Sequence, residues 1–383
     1  LDAPEIANVA ARAGVEAPTS GPLKFQARLA DSGPNRYALS AIRMTMGEGD
    51  LAGEATLATG GARPIVTANL PSATVDLSKL GQGHPTSPPG RGAAPPTAAR
   101  EPTPAPAPGA PAPDGKVFSA DPLPFELLNA ADADVKYVAQ RVLYGGTVIQ
   151  DLNLTIALRG GELTLRPLGA RVGGGTLVAD LALGARNQSL IGKIDAKQIN
   201  LGTLLRETGT STYLKEGRTD LTLELRGTGR SMRALMASLN GTTTLAVGAG
   251  EIDSKWLDFL GADVVKVLNP LEGQQPTTKL NCVVQRFEIK DGLATSRVFT
   301  FDTTRMTMAG EGTLNFATEV PALLIKPSPK ERSLLSLATP IRVSGTFAKP
   351  SVLPDAAAAA RGVAGASGGA AILGPFGVIA PLV

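Results

Sequence analysis

The chain has 383 residues, a formal net charge of +3, 43% hydrophobic residues and only 4% aromatic ones. Its apolar surface is therefore aliphatic. With dispersed charges and few stacking rings, nucleic acid is excluded as a partner. A single cysteine, Cys282, excludes an intrachain disulfide, and the only histidine, His84, sits just before a Pro-rich stretch, which argues against His-dependent triads and His-rich metal sites.

The first unit covers 1–80 and reads as β-rich. Leu51–Leu57, Ile65–Leu70 and Val75–Leu80 are three short blocks separated by turn-forming residues. Residues 81–116 form a Pro/Ala-rich linker. Pro85–Pro113 holds eleven of the thirty prolines, a composition that builds no core and prefers an extended, disordered spacer.

The larger unit, 117–355, carries the clearest signal. Leu152, Leu154, Ile156 and Leu158 alternate with Asn153, Thr155 and Ala157; Gly160-Gly161 permits a tight reversal, and Leu163 and Leu165 continue the pattern. The same period of two returns in Leu177, Leu181 and Leu183, and again in Leu221, Leu223 and Leu225. Gly173-Gly174-Gly175 reads as a further turn. These residues predict a long antiparallel sheet with one aliphatic face, in a mainly β fold. Leu177–Leu183, Leu190–Ala196 and Ile199–Leu204 repeat the order of the three blocks in the first unit, which points to one β-rich unit used more than once.

Helices are few. Ser231 is a capping residue ahead of Met232, Leu235, Met236 and Leu239, which follow the helical spacing, and Asn240-Gly241 ends the run. A second helix is expected from Asp253, carrying Trp256, Leu257, Leu260, Val264 and Leu268 and stopping at Pro270. Gly227-Thr228-Gly229-Arg230-Ser231 fails both phosphate-loop templates and reads as a strand-to-helix turn. The carboxylates Glu162, Asp180, Asp195, Asp220 and Glu224 are spread singly over solvent faces, so general acid–base chemistry has no candidate and no catalytic residue is assigned. No cofactor and no metal are expected. Residues 356–383 form a Gly/Ala-rich apolar tail. Its last 22 residues, Gly362–Val383, lack charge but are interrupted by Pro375 and Pro381, and read as a flexible or interface-seeking segment.

An ordered set of phrases resembles the C-terminal region of the AsmA family of bacterial envelope proteins. It runs from Pro122-Leu123-Pro124-Phe125 through Gly161-Glu162-Leu163-Thr164-Leu165-Arg166-Pro167-Leu168, Gly227-Thr228-Gly229 and Ser238-Leu239-Asn240-Gly241. It ends in Gly310-Glu311-Gly312-Thr313-Leu314 and Pro340-Ile341-Arg342-Val343-Ser344-Gly345. The resemblance implies a non-enzymatic periplasmic protein of outer-membrane biogenesis, held to the inner membrane by an N-terminal helix not present in these residues. Relatives with long β grooves, such as TamB, imply a role in passing phospholipids between the two membranes. The twelve alternating residues Leu152, Leu154, Ile156, Leu158, Leu163, Leu165, Leu177, Leu181, Leu183, Leu221, Leu223 and Leu225 are then candidates to line a groove for phospholipid acyl chains. A scaffold or chaperone-like module acting on outer-membrane proteins, by strand addition at an open edge, is the alternative. Alternation alone favours a closed sandwich with its apolar faces buried on each other; the resemblance favours an open, taco-like groove.

Overall fold

A computed structural model describes residues 2–3, 23–77, 115–253, 277–304, 306–330 and 340–355. Among them twenty strands join one sheet. The first unit supplies β1 (Asp2–Ala3), β2 (Leu23–Gly33), β3 (Arg36–Met46), β4 (Gly49–Ala58) and β5 (Ile65–Asp76). Then come β6 (Asp132–Tyr144), β7 (Thr147–Arg159), β8 (Glu162–Val172), β9 (Gly175–Gly184) and β10 (Ser189–Asn200). The helix α1 (Leu201–Glu207) precedes β11 (Leu214–Glu216) and β12 (Arg218–Thr228), and α2 (Met232–Ala237) precedes β13 (Asn240–Val247) and β14 (Gly250–Asp253). The remaining strands are β15 (Thr277–Lys290), β16 (Leu293–Thr303), β17 (Met306–Asn315), β18 (Val320–Pro329), β19 (Ile341–Gly345) and β20 (Pro350–Pro354).

Almost every strand pairs antiparallel with its sequence neighbour, as a meander, with β11 and β14 prolonging the lines of β12 and β13. The exception is β5–β6, which pair in parallel from Ile65 opposite Asp132 to Asp76 opposite Leu143. Parallel neighbours need a crossover of a dozen residues or more, and the long connection carrying the prolines supplies that length. The parallel pair carries the sheet from the first unit into the second. The apolar tail and residues 81–114 of the Pro/Ala-rich run lie outside the described residues, as does the helix expected from Asp253 beyond Asp253 itself, which instead ends β14. Among the described residues β1 and β20 do not pair, so the sheet stays open. At about 4.8 Å per strand its contour is on the order of 85 Å.

The turns follow the sequence reading. Gly160-Gly161 and Gly173-Gly174 both take positive φ between consecutive strands. The Ser231 side chain caps α2 by accepting from the Ala234 N–H at 3.2 Å, but the helix ends at Ala237, and Asn240-Gly241 already belong to β13. Leu201–Leu204, read above as the end of a strand block, instead form α1. Asn200 caps it by accepting from the Thr203 N–H at 3.0 Å, and Leu201, Leu204 and Leu205 share one face.

Curvature has local causes. Gly241 (φ +142°) and Gly312 (φ +135°) lie inside strands, where a Cβ would strike the carbonyl oxygens of Glu224 and Ala322 on the adjacent strands. Only glycine tolerates so close an approach, and such kinks bend a sheet. On β8 the Arg166-Pro167 pair bulges outward between Leu165 and Leu168, so both leucines keep the same face despite the extra residue.

A strap crosses one margin of the sheet, where the strand ends of β12, β15, β17 and β19 lie. Ser119 accepts from the Arg233 N–H at the start of α2 (3.0 Å), while the adjacent Phe118 packs edge-to-face on Phe316 (6.3 Å) and Phe347 (6.2 Å). Phe347 follows β19. In a flat sheet α2 and the β19–β20 turn would stand about six strand spacings apart, on the order of 29 Å. Two adjacent residues touch both, so the sheet curls.

Candidate functional site

The cross-strand register assembles the apolar residues into rows. Ile156 faces Leu165, which faces Leu181, followed by Gly192 and Leu225. A second row runs Leu154, Leu168, Ala179, Ile194, Leu223, and a third runs Ala170, Leu177, Ala196, Leu221, Leu245. Leu158, Leu163 and Leu183 make a fourth with Leu190, and Leu152 extends the face onto β6 opposite Ala139. All twelve candidates therefore share one face, the concave one on which α1 stands.

The opposite face is a ladder of charges. Lys193 lies directly between Asp180 and Glu224 in the register and pairs with Glu224 at 2.9 Å; that hydrogen bond, backed by neighbouring carboxylates, raises its pKa. Arg166 pairs with Asp180 at 3.4 Å and Lys326 with Glu311 at 2.7 Å. These exposed pairs contribute little stability, but they mark the face that meets water. Asp180, Asp220 and Glu224, read as isolated carboxylates, are each paired with a cation here.

Large apolar side chains are buried at the margins, whereas in the middle of the rows only the small Ala139, Ala170, Ala179 and Ala196 are buried. Val142, Ile199, Val247 and Leu280 are buried along the α1 margin, and Leu235, Leu239, Ile289 and Ala294 along the strap margin. Near the last strands Met306, Met308 and Ile341 pack into a small closed core with Phe301, Ile325 and Val352. The twelve candidate side chains are all only half-buried. In a sandwich such positions would be covered by a second layer. Here the strands offer a trough whose floor is aliphatic and partly open to solvent. Toward the first strands it becomes shallower still, with Leu29 70% exposed on the same face as Leu39 and Ala55.

One part of the trough was not legible as a site. Between α1 and strands β13–β16 lies a recess of ≈ 340 Å³ lined by Leu201, Leu205, Tyr213, Leu245, Val283 and Phe301, among others. Its signal was the Leu201, Leu204, Leu205 spacing behind Asn200. Cys282, on β15, is half-buried, and burial followed by the Asp302 charge pushes its thiol pKa up, away from reactivity. Among the described residues no group of three or more His, Cys, Asp or Glu is placed to hold a metal ion, and no helix is long and apolar enough to cross a membrane.

A sequence model described as the AsmA family matches residues 35–299. The chain is also similar to the AsmA family protein YhjG of Escherichia coli (strain K12), at 29% identity over 241 residues. The match covers 62% of this chain and 35% of that relative, so the chain spans about a third of the relative's length. No solved structure matches it.

Proposed function

The chain belongs to the AsmA family, and from that premise we propose that its concave face binds phospholipid acyl chains in the bacterial envelope, as a non-enzymatic element of lipid passage between inner and outer membranes. Membership of the family points to an envelope role. The observation that carries the finer reading is the half-buried state of Leu154, Ile156, Leu165, Leu181 and Leu223 in adjoining rows on a face that, among the described residues, no second layer covers.

An acyl chain of about fifteen methylenes costs on the order of 12 kcal/mol to expose to water, at about 0.8 kcal/mol per methylene. A trough floored by aliphatic side chains offsets much of that cost without fixing chain length, because leucine and isoleucine side chains present a smooth surface with few polar contacts. The charge ladder on the other face keeps the outside of the sheet in water. In this reading the protein sits in the periplasm at the inner membrane, and its ligands are the hydrocarbon parts of phospholipids.

Strand addition to outer-membrane proteins is disfavoured at the last edge of the sheet. The last edge strand, β20, is five residues long and bounded by Pro350 and Pro354, and prolines and short length blunt an edge against pairing.

The test is to purify the chain from bacterial membranes, extract it with organic solvent and examine the extract by mass spectrometry. Phospholipid in stoichiometric amount supports the trough; a protein that comes away free of lipid and takes up none from vesicles would falsify it.

A further inference from the structure

We propose that acyl chains enter the trough sideways through the recess beneath α1, because the strap holds the opposite margin shut. The inference rests on the trough reading above and deepens it by assigning a route of entry.

The two margins are built differently. On the strap side the Glu319 carboxylate accepts from the backbone N–H groups of Val117 (2.6 Å) and Phe118 (3.2 Å). The Phe118 carbonyl accepts from Arg233 Nε at 3.0 Å, and Leu123 N–H donates to the Arg230 carbonyl at 2.7 Å. The turns after β17 and β19 and the helix α2 are thereby tied together over the buried Leu235, Leu239 and Ile289. A hydrocarbon chain crossing here would have to break backbone hydrogen bonds in an apolar setting, which is costly.

On the other side α1 stands away from β13–β16 and leaves the ≈ 340 Å³ recess, within the size range of ligand sites. Its lining is almost wholly apolar and continuous with the trough: Leu245 faces Leu221 of the third row, and Val283 faces Val247 on one side and Phe301 on the other. Tyr213, which also lines it, is 39% exposed. Among the described residues the recess thus meets the floor of the trough without a polar barrier.

The experiment measures uptake by the full chain of a phosphatidylglycerol bearing a fluorophore at the end of one acyl chain, presented in vesicles of phosphatidylethanolamine and phosphatidylglycerol. Leu205→Trp and Ser211→Trp fill the recess from the helix and from the following loop, and circular dichroism confirms that each variant is folded; if one is not, the other decides. Both are expected to slow uptake at least tenfold with little change in final occupancy. Glu319→Ala, which removes the two carboxylate hydrogen bonds of the strap, is expected to load at least as fast as the parent chain. Wild-type uptake rates in both tryptophan variants, or slower uptake in Glu319→Ala, overturn the entry route and leave the trough intact. A parent chain that takes up no labelled lipid overturns the trough and the route together.

Discussion

Val117 N–H donates to the Glu319 carboxylate at 2.6 Å, across 202 residues of sequence. Glu319 is 2% exposed and holds a left-handed backbone (φ +61°); its carboxylate takes the strap while its carbonyl accepts from the Phe347 N–H at 2.8 Å. Replacing Glu319 with alanine leaves the Val117 and Phe118 N–H groups without their acceptor. The expected loss is about 2–3 kcal/mol by chemical denaturation. Glu319→Gln, which keeps one acceptor oxygen, is expected to lose roughly half as much. Equal stability of all three proteins would show that the strap is a passive fragment.

Position within the sheet decides what a buried charge does. Leu181 lies in the half-buried middle of the trough, whereas Ile341 is 3% exposed and packed on Met306 and Met308. Leu181→Asp is expected to cost about 1–2 kcal/mol and to abolish lipid uptake, since its carboxylate reaches water. Ile341→Asp is expected to cost about 4 kcal/mol or more. Thermal melts set beside lipid loading separate the two; a Leu181→Asp protein as unstable as Ile341→Asp would mean that the middle of the sheet is a sealed core.

The intrastrand glycines give a sharper structural test. A Cβ at Gly241 or Gly312 runs into the carbonyl of Glu224 or Ala322, in a φ range that L-residues rarely adopt. Alanine at either position is expected to destabilise by about 3 kcal/mol, combining backbone strain with the steric clash. Urea midpoints check this directly. A neutral effect would remove these two kinks as the cause of curvature.

Acidic pH acts through Asp302. Its partial burial works to raise its pKa, but hydrogen bonds from Lys330 (3.0 Å), Thr307 and Asn281 (2.8 Å) outweigh that and hold the carboxyl below its ordinary value. A depressed carboxylate stabilises the folded state fully above the ordinary carboxylate pKa of about 4 and loses that contribution as pH falls through the lowered value. Asp302→Asn is therefore expected to cost about 1–2 kcal/mol at neutral pH, with the difference from the parent shrinking as the pH falls below the ordinary carboxylate value of about 4. Denaturant titrations at pH 7 and pH 3 measure it, and a gap that widens on acidification reverses the sign of the argument.

Local chemistry made part of this molecule readable in one dimension. The alternation at Leu152–Leu158 and Leu221–Leu225 requires strands with one aliphatic face, because successive side chains point to opposite sides. Glycine pairs such as Gly160-Gly161 mark the reversals, and Ser231 marks a helix start. The spacing behind Asn200 does not by itself distinguish α1 from a strand, because a leucine-rich run after a strand fits either period over so few residues.

Other features depended on contacts between distant segments. A period of two states which residues share a face but not whether another layer covers it; that depended on the sheet curling and staying open. The parallel β5–β6 joint, the strap fastened by Glu319 and the recess beneath α1 each bring together residues tens to hundreds apart in sequence. Such contacts are set by the summed curvature of many strands and leave no local pattern, so the aliphatic face belonged to the sequence and its accessibility to the tertiary structure.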